Sequence, residues 1–161
     1  MIHVGQKVQD FELPVGRADL HREKVRLSSL LAKGPVVISF FPLAFTRVCT
    51  TQMCDARDHL GAIAGLGAQV VGFSCDSAYA NAAFAKEQGL PFPILSDANR
   101  EVVDALWETQ DVAGVARVPK RGWMLVAPDG TVAERWVAEV PGAAWPGNGP
   151  IEAALSKLAS G

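Results

Sequence analysis

The feature that most restricts the fold of this chain is a short apolar run, Val36 to Phe41, bounded by Gly34-Pro35 and by Pro42. Apolar residues occupy almost every position, so both faces of the segment are covered. That predicts a strand inside a layered structure, not one on a half-solvated surface. Beyond Pro42 the spacing changes. Cys49, Met53, Ala56, Leu60 and Ile63 recur at i, i+4, i+7, i+11 and i+14, one stripe of an amphipathic helix, which Gly65 and Gly67 end. Ala68 to Ser74 predicts a second buried strand. Asp76 and Ser77 can cap a helix running to about Gln88, with Gly89 as its stop. Asp97 can cap another through Val102, Val103 and Leu106.

Strand, helix, strand, helix argues for parallel pairing. The later pattern differs. Gly122 to Ala127 and Thr131 to Val137 flank Pro128-Asp129-Gly130, a hairpin signal and hence an antiparallel pair. Ile151 to Ala159 predicts a closing helix. The expected class is α/β with a thioredoxin-like layout: a central mixed sheet flanked by helices. Phe11 to Leu13 and Lys24 to Leu27, with Asp19 near the bend, predict an N-terminal β-hairpin extension. A length of 161 residues suits one domain over 1–161. The stretches around Pro91-Phe92-Pro93 and from Pro141 to Pro150 read as loops within it.

Fifteen basic and seventeen acidic residues leave a net charge of −2, which offers no electrostatic reason for a nucleic-acid or anionic-membrane partner. No apolar run approaches the roughly 20 residues of a membrane span, and the N-terminus has no signal-peptide core. The expected location is cytoplasmic. Three cysteines cannot all pair within one chain. There is no C-x-x-C, and His3, His21 and His59 show no ligand spacing to the cysteines, so no metal site is expected.

The chemistry concentrates where the first buried strand meets its helix, in FFPLAFTRVC, residues 40–49. The first N–H groups of a helix lack intrahelical partners and carry partial positive charge. They favour a thiolate, and the thiolate is the nucleophilic form of cysteine. Thr46 can offer a hydroxyl to the sulfur or to a bound oxygen, and Pro42, lacking an N–H, shapes the pocket wall. A lone cysteine on an apolar stripe is also common as core packing, so residue type alone leaves both readings open.

Pro42, Thr46 and Cys49 spell P-x-x-x-T-x-x-C, the active-site motif of peroxiredoxins. The longer string FFPLAFTRVCTTQMCDARDHL resembles the alkyl hydroperoxide reductase E and bacterioferritin comigratory protein groups. VVGFSCDSAYANAAFAKEQGLPFPILSD and RGWMLVAPDG resemble the family's next strand, helix and arginine-bearing strand, in the same order. The resemblance implies that Cys49 attacks a hydroperoxide and that Arg121 is the second active-site cation. Arg117 fits that register less well, and Arg47 is expected to face solvent. Gln52 stands where the family often has glutamate. Met124 and Ala127 replace its usual aromatic and acidic residues, so the arginine network is expected to be wired differently. Cys54, in C-x4-C spacing, matches the resolving cysteine of one group. Cys75, ending the second strand, is expected either to pack or to line the pocket region.

The implied function is a thiol-dependent peroxidase acting on hydrogen peroxide and organic hydroperoxides through a Cys49 sulfenic acid, with no cofactor. The implied reductant is a thioredoxin-like protein or a low-molecular-weight thiol, and a homodimer is expected through the apolar loop Leu43, Ala44 and Phe45. A one-cysteine cycle, a redox sensor and a thiol–disulfide exchange module are the competing readings. The missing C-x-x-C weighs against the last.

Overall fold

The computed structural model describes residues 1–19, 23–140 and 143–161. His21 and the first two positions of the expected loop from Pro141 lie outside the described residues. The elements run β1 (Glu12–Gly16), β2 (Lys24–Arg26), α1 (Leu27–Leu31), β3 (Val36–Phe40), α2 (Arg47–Asp58), α3 (Leu60–Gly65), β4 (Gln69–Ser74), α4 (Ala78–Gln88) and β5 (Ile94–Ser96). They continue with α5 (Val103–Leu106), β6 (Thr109–Val112), β7 (Val115–Pro119), β8 (Gly122–Val126), β9 (Val132–Val137) and α6 (Gly149–Ser160).

Seven strands form one mixed sheet in the order β2-β1-β5-β4-β3-β8-β9. β3, β4 and β5 are mutually parallel; β8 lies antiparallel to β3, β9 to β8, and β1 to β5. The apolar run of β3 is central, and its alternate side chains feed two cores. Val36, Ile38 and Phe40 face a layer with Phe73, Trp107 and Met124, whereas Val37 and Phe41 face Met53, Ile63, Phe84 and Ile151. Phe40 stacks on Trp107 with ring centroids 4.1 Å apart. Each such fully buried side chain contributes about 1.5–3 kcal/mol relative to exposure, which is why this segment sits in mid-sheet.

Four details depart from the sequence expectation. The stripe from Cys49 to Ile63 is not one helix: it breaks at His59, whose φ and ψ are −104° and 7°. There the His59 ring nitrogen lies 2.9 Å from the Asp55 carbonyl oxygen that its own backbone N–H also uses. The N-terminal hairpin is shifted toward Gly16, and Leu27 begins α1 instead of ending a strand. This hairpin joins the main sheet through β5. A second hairpin, β6–β7, carried no strong signal, because its strands are half-exposed and its turn is Ala113-Gly114. Both turn residues have positive φ, 51° and 78°, where Asn-Gly or Asp-Gly is the recognisable pair. Finally, the segment capped by Asp97 is helical only from Val103. The buried Asp97 carboxylate accepts from the N–H groups of Glu101, Val102 and Val103 at 2.8 to 3.0 Å.

Candidate active site

The loop between β3 and α2 is held from several sides. Phe41 makes the last sheet hydrogen bond, to the Phe73 carbonyl at 3.1 Å. Pro42 is buried behind it. The Ala44 N–H donates to Asp76 Oδ2 at 2.9 Å, tying the loop tip to the end of β4. Ser77, not Asp76, caps α4, through a bond from the Ala80 N–H. Phe45 has φ of 68°, a left-handed conformation costing roughly 1–3 kcal/mol in a non-glycine residue. It stays half-exposed and packs edge-on against Phe84 at 5.2 Å.

Thr46 is the N-cap of α2, but its hydroxyl does not cap. Oγ1 donates to the Leu43 carbonyl at 2.8 Å. Its proton is therefore committed, and the oxygen is left to accept a hydrogen bond, not to donate one to the sulfur. Arg47, Val48 and Cys49 form the first turn of α2, where backbone N–H groups have no intrahelical carbonyl. Cys49 is 1 % exposed.

Across from it, at the start of β8, Arg121 is also buried. Its Nη1 lies 3.4 Å from Cys49 Sγ and donates to Gln52 Oε1 at 2.8 Å. The Gln52 amide is fixed at its other end, donating from Nε2 to Ser39 Oγ at 2.7 Å and to the Phe40 carbonyl at 3.0 Å. Ser39 is the one polar residue of β3, and it points toward α2 for this purpose. Among the described residues no carboxylate forms an ion pair with Arg121, and its Nε is buried without a partner. A buried guanidinium without a counter-ion is costly. The Cys49 sulfur lies within hydrogen-bond reach of this cation, which is placed to stabilise negative charge that develops at the site. Gln52 aligns the cation without neutralising it.

Arg121 can lie here because Gly122 follows it. A Cβ at Gly122 would stand 2.2 Å from the Trp136 carbonyl oxygen and 2.6 Å from the Trp107 ring. Arg117 is elsewhere, exposed on β7 and paired with Asp104 at 2.5 Å. Arg47 is exposed, as expected.

The other two cysteines diverge. Cys54 is half-buried on α2, with Sγ 3.4 Å from Gln88 Oε1. Cys75 does not line the pocket region. It packs against the core on the opposite side of the sheet from Cys49, because it shares strand parity with Val71 and Phe73. Burial, reinforced by the negative charge of Asp97, pushes its thiol up to about 12, which leaves it an inert thiol at neutral pH. The sequence offers Asp76 only as a helix cap and gives Ser39 and Gly122 no place in the site; the signals of these last two are a polar residue inside an apolar strand and a glycine directly after the arginine.

A cysteine at a helix N-terminus beside a buried arginine, outside the carboxyl end of a central strand, is a candidate thiol-based redox site, and it is built on a thioredoxin-like fold. The chain belongs to the AhpC/TSA family of peroxiredoxins, whose family model matches residues 4–135. It is 33 % identical over 138 residues to the peroxiredoxin Bcp of Bacillus subtilis, covering 84 % of this chain and 85 % of that one. To a putative peroxiredoxin of Mycobacterium tuberculosis it is 42 % identical over 101 residues, covering 63 % of this chain; the matched part spans 61 % of that relative's length. The crystal structure of the peroxidoxin BcpB from M. tuberculosis superposes with a TM-score of 0.82 at 30 % identity, over 99 % of this chain and 98 % of that one. The bacterioferritin comigratory protein of Xanthomonas campestris gives 0.73 at 26 % identity, over 91 % and 92 %.

Proposed function

We propose that the protein is a thiol-dependent peroxidase that reduces hydrogen peroxide and organic hydroperoxides, with Cys49 as the attacking residue. The observation that carries this reading is the 3.4 Å approach of Arg121 Nη1 to a Cys49 sulfur in the first turn of α2. The Cys49 thiolate attacks the distal oxygen of ROOH in line with the O–O bond. An S–O bond forms, the O–O bond breaks, and the leaving RO⁻ takes up a proton to give ROH. Arg121 and the free N–H groups of the first turn stabilise charge as it moves onto oxygen. Thr46 Oγ1 accepts the hydrogen bond of the bound hydroperoxide and so orients it. Pro42, with no N–H of its own, walls the sulfur from water. No step draws on a metal or organic cofactor, since the sulfur carries the two electrons.

Recycling proceeds by attack of the Cys54 thiolate on the Cys49 sulfenic acid. An S–S bond forms, the S–O bond breaks, and the leaving hydroxide takes up a proton to give water. A thioredoxin-like dithiol then reduces this disulfide; in the one-cysteine alternative, a low-molecular-weight thiol attacks the sulfenic acid directly. The half-exposed loop tip of Leu43, Ala44 and Phe45 supports a homodimer, and a seven-stranded sheet that draws its strands from Glu12 to Val137 supports one domain over 1–161. None of the helices among the described residues is long and apolar enough to cross a membrane. Stopped-flow consumption of peroxide with added reductant tests the function. Turnover is expected for the wild type, background rates for Cys49→Ser, and activity retained in Cys49→Ser would refute the assignment.

A further inference from the structure

The disulfide between Cys49 and Cys54 cannot form on an intact helix. Five residues of α-helix separate Cα atoms by roughly 8–9 Å, beyond the ~7 Å reach of a disulfide. One of the two cysteines must move, and the contacts along α2 are distributed unevenly. Residues 47–51 at its start lack two supports of a helix end: the Thr46 hydroxyl does not cap them, and no acidic side chain of the first turn complements the dipole. Thr50 and Thr51 hydroxyls bond back to the carbonyls of Thr46 and Arg47, a pattern that loosens helices.

The second half is fastened on separate sides. Asp55, adjacent to Cys54, accepts on Oδ2 from Trp145 Nε1 at 2.8 Å and from Asn148 Nδ2 at 2.9 Å. Both donors precede α6. On another side, Arg57 Nη1 donates to the Gln88 carbonyl at the end of α4 at 2.5 Å.

We propose that Asp55 is a positioning residue that holds Cys54 stationary through Trp145 and Asn148, while only residues 47–51 unwind and carry Cys49 to it. The inference rests on the reading that Cys54 resolves Cys49. Three backbone links separate Cys49 from Gln52, each spanning about 3.8 Å, which is enough to fold Cys49 back over a helix that persists from Gln52 onward. The peroxide step, completed while the helix is intact, does not involve Asp55; the disulfide step does.

Amide-resolved hydrogen exchange on the reduced protein and on its oxidised form tests this in wild type, Asp55→Ala and Trp145→Phe. Alanine preserves helix propensity, and phenylalanine keeps the ring while deleting the N–H. In both redox forms of the wild type, amides of residues 56–58 are expected to stay protected while those at 50 and 51 exchange faster. In both variants, protection at 56–58 falls by about ten-fold or more. Disulfide formation slows relative to an unchanged rate of peroxide consumption. Uniform protection along α2 in the reduced wild type, or variants with unaltered protection at 56–58, would overturn the role of Asp55. Those exchange data on reduced protein do not depend on a disulfide. Peptide mapping that finds no 49–54 bond would instead overturn resolution by Cys54, and with it the catalytic use of the latch.

Discussion

Replacing Arg121 by Met tests whether the buried guanidinium acts on the reaction or merely fills space. Met keeps most of the stem and its packing, and removes the positive charge together with the Nη1 contacts to Cys49 Sγ at 3.4 Å and Gln52 Oε1 at 2.8 Å. Two opposing effects on stability follow. The lost hydrogen bond strands Gln52 Oε1 in a buried place at about 1–3 kcal/mol. Removing a buried cation that has no carboxylate partner among the described residues relieves a desolvation penalty of similar size. The fold is therefore expected to survive with little net change. The effect on rate is one-sided, because charge moves from sulfur to the peroxide oxygens in the transition state beside this donor. Loss of a preorganised donor of this kind costs about 2–4 kcal/mol, or about 30- to 900-fold at 1.36 kcal/mol per decade. The assay is the second-order rate constant of reduced protein with hydrogen peroxide, followed by stopped-flow tryptophan fluorescence, at a pH high enough to ionise the thiol. Arg121→Lys, which keeps a charge but not the fork geometry, is expected to fall between. If Arg121→Met unfolds at the wild-type urea midpoint and reacts at the wild-type rate, the electrostatic argument for this site fails.

The remaining expectations concern the other cysteines and the strand that delivers the arginine. Cys54→Ser should leave the first reaction with peroxide intact, abolish thioredoxin-dependent turnover and make Cys49 easier to overoxidise, as read by intact-protein mass spectrometry; unchanged turnover would point to the one-cysteine cycle. The Cys75 thiol is raised from 9.0 to about 12 by burial, so the contribution of its neutral form is complete below 9.0 and is lost as pH rises toward 12. Urea unfolding across that window should show a steeper loss of stability in the wild type than in Cys75→Ala; parallel curves would contradict the burial argument. Gly122→Ala should destabilise by several kcal/mol, since its Cβ meets the Trp136 backbone at 2.2 Å, and should slow peroxide reduction by displacing Arg121; a melting temperature equal to wild type would count against that packing.

The division between sequence and structure follows from the range of the forces involved. Hydrophobic periodicity is a local signal. It placed the central strand at Val36 to Phe41, a helix start at Cys49 and the hairpin around Pro128-Asp129-Gly130, because burial on one or two faces dictates residue type every two or every three to four positions. The motif of Pro42, Thr46 and Cys49 was legible through its resemblance to the peroxiredoxin pattern, because all three lie close together in sequence, in the loop after β3 and the first turn of α2. Short-range backbone chemistry was less legible: the break at His59 and the Ala113-Gly114 turn lack the residues that usually announce them. Long-range contacts had no local signature at all. Cys49 and Arg121 are 72 positions apart, and only the pairing of β3 with β8 brings them together. Cys75 lies on the far face because of strand parity. The Thr46 proton goes to Leu43, and Gln52 bridges Ser39 to Arg121, because a buried polar atom must find whatever partner the finished packing leaves within about 3 Å. Residue pattern determined where each element runs; which side chains then meet, and with what charge between them, was decided when the sheet closed.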